Sequence, residues 1–114
     1  MLKRIDTVFM PVSSLDRSIP WYTENLGLTL RWRVPGYAAL SVGETALTLV
    51  EVPQVEPAPH MPFNFYADDI RSVRSRLAER GVAVSELRDH GDLMEFEFTD
   101  LDGNKLGLCW FAEK

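Results

Sequence analysis

The sequence has little of what marks several large functional classes. It holds one cysteine, Cys109, which cannot form an internal disulfide and is typical of a reducing compartment. No apolar run approaches the ~18 residues that a membrane-spanning helix needs, and residues 1–10 have no signal-peptide pattern. The 12 Lys and Arg residues are outnumbered by 17 Asp and Glu, and a net charge of −5 argues against a nucleic-acid surface. We therefore expect a cytoplasmic protein with no membrane or nucleic-acid partner.

What is present predicts a folded domain, beginning with one strand–helix–strand–strand–strand pattern. Of the 114 residues, 46% are apolar, which is enough for a buried core. Apolar spacing predicts a helix over 15–26, which Ser13 or Ser14 caps and Gly27 ends. Pro20 lies inside this helix and should bend it or shift its start. The strands of this half are predicted at 4–12, 28–34, 37–42 and 45–52.

The second half repeats this order after a proline-rich stretch. Residues 53–62 hold four of the seven prolines and are typical of a linker. A helix is predicted between Asp68 or Asp69 and Gly81, with strands at 63–67, 82–87, 92–100 and 105–111. Local matches such as NLGLTL (25–30) with ERGVAV (79–84) support an internal repeat. The predicted fold is therefore α+β, with two tandem βαβββ modules at 1–52 and 62–114 joined by a linker at 53–61.

Three stretches are similar to motifs of a known family. SSLDRSIPWYTENLGLTL (13–30) resembles its first helix, FYADDIRSVRSRLAERGV (65–82) its second-half strand and helix, and FTDLDGNKLGL (98–108) a signature near its C-terminus. Together with the duplicated topology, they resemble the vicinal oxygen chelate superfamily, which includes glyoxalase I, bleomycin-resistance proteins, fosfomycin-resistance enzymes and extradiol dioxygenases. The resemblance implies a cupped mixed sheet around a cavity and, by family precedent, a homodimer.

The resemblance also implies which positions would hold a metal ion. Metal-dependent members use side chains from four strands, typically His or Gln, Glu, His and Glu. The corresponding positions here hold Thr7, Thr48, Asn64 or Pro62, and Gly107, none of which is a usual ligand of a divalent ion. The resemblance therefore predicts no family-type metal site and no cofactor. The alternative is a divalent metal ion at a non-standard site near His60.

Strand alternation then predicts which side chains face the cavity. Glu95 and Tyr66 are the candidate acid–base residues. The predicted ligand-binding residues are Thr7, Phe9, Thr48, Asn64, Tyr66, Glu95, Glu97 and Gly107. The alternative is that Glu95 and Glu97 face solvent on an open sheet. Trp32 and Tyr37 are expected to belong to the core, and the alternative for them is the mouth of the cavity.

These residues indicate a protein that binds a small organic molecule in a sheet-lined cavity without the usual metal ion, either to sequester it or to act on it. One alternative is a metal-dependent enzyme of glyoxalase or dioxygenase type with a rearranged site, so a lyase-like or dioxygenase-like activity stays open. A second alternative is a non-catalytic protein-interaction module. The DLDGN stretch (100–104) is predicted to be a hairpin turn rather than a calcium loop, because no bidentate Glu follows in the required register.

Overall fold

In the computed structural model, which describes residues 1–113, the chain divides into two units, Met1–Glu56 and Pro57–Lys114. Each unit contains one four-stranded mixed sheet and one helix. This arrangement confirms the predicted α+β class and its two tandem βαβββ modules. Neither helix of the described residues has the length and apolarity needed to cross a membrane.

The first unit packs helix α1 (Leu15–Leu26) against one face of its sheet. Its strands are β1 (Thr7–Val12), β2 (Thr29–Val34), β3 (Tyr37–Val42) and β4 (Thr45–Glu51), in the spatial order β1-β4-β3-β2. The β1–β4 pair is parallel and the other pairs are antiparallel. The core lies between α1 and the sheet and includes the buried side chains of Met10, Val12, Leu15, Tyr22, Leu40, Leu47 and Leu49.

Local signals set the ends of α1 as the sequence predicts. The Ser14 side chain accepts a hydrogen bond from the Arg17 backbone N–H, which satisfies one of the free donors of the first turn. Gly27 follows the last turn with a φ of 69°, in the left-handed region. Pro20 lies inside the helix without ending it. The Leu15 N–H also donates to Glu51 Oε2 at 2.8 Å, which ties the start of α1 to the end of β4.

The second unit packs helix α2 (Ile70–Glu79) in the same way. Its strands are β5 (Asn64–Tyr66), β6 (Arg88–Asp89), β7 (Leu93–Thr99) and β8 (Lys105–Phe111), in the order β5-β8-β7-β6. Asp69 caps α2, and its side chain accepts from the Ser72 N–H. The buried core includes Ile70, Leu77, Phe96, Phe98, Leu106 and Leu108.

The turn before β8 is held by one carboxylate. Asp100 Oδ1 accepts from the backbone N–H groups of Asp102 and Asn104, each at 2.9 Å, and Asp100 Oδ2 accepts from Asn104 Nδ2 at 2.9 Å. Asp100 and Asn104 are both buried. Both carboxylate oxygens of Asp100 therefore accept hydrogen bonds from within the turn.

The predicted strand over 82–87 is wrong in its extent. The structure has only an isolated bridge between Val84 and Phe98 in this stretch, and the paired residues of β6 are Arg88 and Asp89. The reason is a side chain that enters the ladder. Glu97 N–H donates to Ser85 Oγ at 2.9 Å instead of to a main-chain carbonyl, while Ser85 N–H donates to Glu97 O at 2.8 Å.

Gly27→Ala should lower the free energy of unfolding by about 1 kcal/mol, because alanine is strained at positive φ. A Cβ at Gly27 would meet no atom within 4 Å, so the loss reports backbone conformation rather than a clash. Urea unfolding followed by circular dichroism measures the change. Gly27→Asn is the matched control and should cost less, since asparagine tolerates this region. An alanine variant as stable as the parent protein would contradict this reading of the helix end.

Candidate functional site

The open face of the first sheet, which we define as the face opposite α1, has large side chains at its edges and small ones at its centre. The register aligns Phe9 with Thr48, Thr48 with Ala39, and Ala39 with Trp32, across all four strands. Phe9 is 61% exposed and Trp32 45% exposed, whereas Thr48 and Ala39 are buried. Because adjacent strands lie ~4.8 Å apart, the two rings project from strands about 14 Å apart.

The next row of the same face adds more exposed apolar surface. It aligns Pro11, Val50, Tyr37 and Val34. Tyr37 is 45% exposed and Val34 49% exposed. The structure therefore has Trp32 and Tyr37 on the exposed side of the sheet, and the expectation that they belong to the core is wrong.

Thr7 and Thr48 form a closed hydrogen-bonded pair on this face. Their hydroxyl oxygens lie 2.6 Å apart, and Thr7 Oγ1 is also 3.0 Å from Ala46 O. When Thr7 donates to Ala46 O, Thr48 donates to Thr7, and both hydroxyl protons are used within the chain. The two hydroxyls are thus hydrogen-bonded to each other, and no space for a bound ion lies between them.

The open face of the second sheet, opposite α2, is polar where the first is aromatic. The register aligns two rows across β5, β8 and β7: Asn64, Gly107 and Glu97 in one, and Tyr66, Cys109 and Glu95 in the other. Phe96 and Phe98, which alternate with the two glutamates, are buried on the other face. Six of the residues selected from the sequence, counting Cys109, therefore share one face of this unit.

Neighbouring side chains fill the space above Gly107. A Cβ at this position would overlap Oδ1 of Asn64 and would lie 2.8 Å from Sδ of Met61. Gly107 itself is buried, and it pairs with Asn64 across the parallel β5–β8 ladder. Pro62 precedes β5, so Asn64 is the strand residue that faces Gly107. A carboxylate could enter here only by displacing both side chains.

The residues at these positions do not fit a divalent metal ion. Such ions are held by carboxylates, imidazoles or thiolates, whereas the first unit offers two hydroxyls that bind each other and the second offers one amide beside a glycine. His60 is exposed in the segment before β5. Within residues 1–113, no group of three or more His, Cys, Asp or Glu side chains is arranged to hold a metal ion.

Glu95 is held by a cation that sequence alternation does not reveal. Arg88 Nε donates to Glu95 Oε1 at 3.0 Å, and His90 Nε2 lies 3.9 Å from Glu95 Oε2. Arg88 lies in the short edge strand β6, in register with Glu95, and His90 directly follows that strand. Arg88 therefore orients the carboxylate and pairs it with a positive charge.

Tyr66 is engaged with its own chain. Its hydroxyl donates to Phe111 O at 2.8 Å, and its ring packs edge-to-face on Phe111 at 5.0 Å between centroids. Exclusion of water by nearby atoms, followed by the negative charges of Glu113 and Asp68, raises the pKa of Tyr66 above its usual 10.0. The phenol therefore stays protonated and donates to a carbonyl, which does not suit a general base.

The sequence did not predict that two further residues, Arg88 and Met61, contact this face. The pairing of Arg88 with Glu95 depends on the register of a two-residue strand. Met61 reaches Gly107 because of the path that the proline-rich segment takes before β5. The one available signal was the opposite charge of Arg88, seven residues before Glu95, but that spacing alone selects no partner.

The chain is similar in sequence to one known family of proteins. The family model described as Glyoxalase/Bleomycin resistance protein/Dioxygenase superfamily matches residues 4–108. The chain is 30% identical to Glutathione transferase FosA of Serratia marcescens, over 95% of this chain and 81% of that protein. It is 31% identical to Metallothiol transferase FosB of Staphylococcus haemolyticus, over 95% of this chain and 84% of that protein.

Solved structures share the fold. TnmS3, an antibiotic binding protein from Streptomyces sp. CB03234, superposes with a TM-score of 0.85 at 27% identity, over 97% of this chain and 98% of that one. A glyoxalase family protein from Bacillus anthracis superposes with a TM-score of 0.86 at 18% identity, over 98% of both chains, and shows the likeness of fold alone.

Thr48→Val should lower the free energy of unfolding by about 1 kcal/mol, because it removes a buried hydroxyl that is hydrogen-bonded to Thr7. Thermal or urea unfolding measures the change. Thr45→Val is the matched control: its hydroxyl donates to Ile5 O at 3.1 Å at an exposed site, where water can replace it, so it should cost less. Equal losses in the two variants would contradict a buried Thr7–Thr48 pair.

Alkylation of Cys109 tests the charge arrangement of the second face. Exclusion of water, and then the negative charge of Glu95, raises the pKa of the thiol above its usual 9.0. Cys109 should therefore react with iodoacetamide at pH 8 more slowly than free cysteine. Glu95→Gln should speed the reaction, because loss of the negative charge favours the thiolate.

The protein has one cysteine, so mass spectrometry detects a single alkylation event. An unchanged or slower rate in Glu95→Gln, with Glu79→Gln as the control, would be inconsistent with this arrangement.

Proposed function

The chain belongs to the Glyoxalase/Bleomycin resistance protein/Dioxygenase superfamily. We propose that it binds a small, largely aromatic organic molecule on the open face of its first sheet, without a divalent metal ion. The observation that carries the proposal is the exposed apolar surface of the first sheet. Phe9, Trp32 and Tyr37 are each at least 45% exposed on one face, opposite the helix-covered core. Exposed aromatic groups gathered on one face are typical of a binding surface.

The residues at the metal positions support binding rather than metal-assisted catalysis. The transferases that resemble this chain include one whose name specifies a metal, Metallothiol transferase FosB. In this chain, Thr7 and Thr48 satisfy each other, and the space over Gly107 is filled. A ligand polarised by a divalent ion would find no set of donors here to hold that ion.

The candidate acid–base residues also support binding. The Tyr66 hydroxyl donates a hydrogen bond to Phe111 O, and Glu95 forms an ion pair with Arg88. Either group would have to break an existing contact before it could move a proton of a substrate. Sequestration of the ligand is therefore the favoured use, as for TnmS3, which is described as antibiotic binding. We also propose a homodimer, by the precedent of the family.

Binding of a neutral fluorescent probe, N-phenyl-1-naphthylamine, to protein treated with EDTA tests the proposal. The probe should raise the Tm by mass action, and Phe9→Ala and Trp32→Ala should each weaken its Kd by roughly tenfold, since a few aromatic anchors dominate such sites. Fluorescence titration measures the Kd.

Leu101→Ala is the matched control, because Leu101 is 54% exposed but lies in the turn before β8. It should leave the Kd unchanged. No binding at all, an equal loss in the Leu101 variant, or binding that appears only after zinc or manganese is added would overturn the proposal.

A further inference from the structure

A β-bulge in strand β2 brings a cationic side chain to the open face of the first sheet. The register between β2 and β3 shifts between Leu30 and Trp32, so Arg31 has no partner in the ladder. Arg31 Nε donates to Ser41 Oγ at 2.9 Å. Ser41 lies two residues after Ala39 on β3 and therefore shares its face. The guanidinium group is thus held over the face that carries the exposed aromatic side chains.

The positive charge of Arg31 is not neutralised within the described chain. Arg33, two residues later, points to the opposite face, where its Nη2 lies 2.8 Å from Asp16 Oδ1 of α1. Arg31 forms no ion pair within 4.0 Å with any of the residues 1–113. The other strand positions on the open face hold aromatic, aliphatic or hydroxyl side chains, with no Asp or Glu among them. The first open face therefore carries one cation without a counter-charge.

The hydrogen-bond donors that remain around Arg31 favour an anionic partner. A guanidinium group has five N–H donors, and Ser41 accepts from the one on Nε, which leaves the four on Nη1 and Nη2. The Ser41 hydroxyl proton has no acceptor among the described residues and supplies a further donor. A carboxylate has two acceptor oxygens in one plane, which match the planar fork of an arginine.

The same face has room for a ring beside this cation. Ala39 and Thr48 are small and buried, and they form a low floor between the exposed rings of Trp32 and Phe9. Arg31 lies over the next row of side chains, two residues or about 7 Å along the strand, a distance comparable with the length of a benzoate. An aromatic ring on the floor can therefore extend a carboxylate to the guanidinium group.

We propose that Arg31, assisted by the Ser41 hydroxyl, binds a carboxylate of the ligand, so that the molecule bound on the first open face is an aromatic carboxylate. Trp32 and Phe9 contact its ring, and Arg31 selects its charge. All four residues belong to the first unit. The inference rests on the proposed function, because it adds a charge requirement to the organic molecule that the protein binds.

Three probes that share one ring system test the charge requirement: 2-naphthoate (anion), 2-naphthylmethanol (neutral) and 2-naphthylmethylamine (cation). Isothermal titration at pH 7 should give a Kd for the naphthoate about fivefold lower than for the alcohol, and weakest binding for the amine. The net charge of the protein is −5, so its long-range field favours the amine and cannot produce this order. The advantage of the naphthoate should shrink when the salt concentration is raised, because screening weakens the ion pair.

Arg31→Gln should bring the ratio of the two Kd values, alcohol to naphthoate, to about one and leave the Kd of the alcohol unchanged. The matched control is Arg33→Gln, which makes the same change of charge in the same strand but on the opposite face. Its preference for the naphthoate should persist. The unchanged Kd of the alcohol establishes that the Arg31 variant is folded, since the alcohol uses the same aromatic side chains.

The outcomes separate the two proposals. Equal affinity for naphthoate and alcohol, tightest binding of the amine, or a naphthoate preference that survives Arg31→Gln would overturn the role of Arg31 and leave the binding of organic molecules standing. Failure of all three probes to bind would overturn the proposed function, and the preference with it.

Discussion

A four-stranded sheet that packs against a single helix is covered on only one face, and the character of this protein follows from that constraint. In each unit the helix buries the apolar side chains of alternate strand positions, such as Leu47 and Leu49 beside α1. The intervening positions are left without a helix to cover them. Because side chains alternate between the two faces of a strand, every second residue is either exposed to water or covered by something other than the helix. In the first unit these residues include Phe9 and Trp32, which are exposed on the face that we propose for binding.

The same constraint explains how the positions at which the resemblance implies metal ligands can vary without loss of the fold. Residues on an open face support no core packing, so a glycine or threonine there costs the domain little. At the centre of the first open face, Thr7 and Thr48 satisfy each other's hydroxyl groups, and in the second unit Asn64 and Met61 fill the volume above Gly107. Substitutions on an open face can therefore change the chemistry of that face without changing the fold.

Local signals made most of the fold predictable from the sequence. The cap at Ser14, the left-handed Gly27 and the period-two patterns each depend on a few neighbouring residues, and the structure follows them. Alternation likewise assigned Asn64, Glu95 and Glu97 to one face. What the pattern could not supply depends on contacts between distant segments. The extent of β6 is set by Ser85 Oγ taking the place of a carbonyl, and the partner of Glu95 is set by the register of that short strand.

Metal analysis of the protein, purified with neither chelator nor added metal, tests most directly whether the open faces work without a divalent ion. Because the positions at which the resemblance implies metal ligands hold hydroxyl, amide and glycine groups, we expect zinc, nickel, iron and manganese each to be far below one ion per chain. The aromatic probe should bind this same preparation. A stoichiometric amount of any of the four metals, retained through gel filtration and required for binding, would contradict the account.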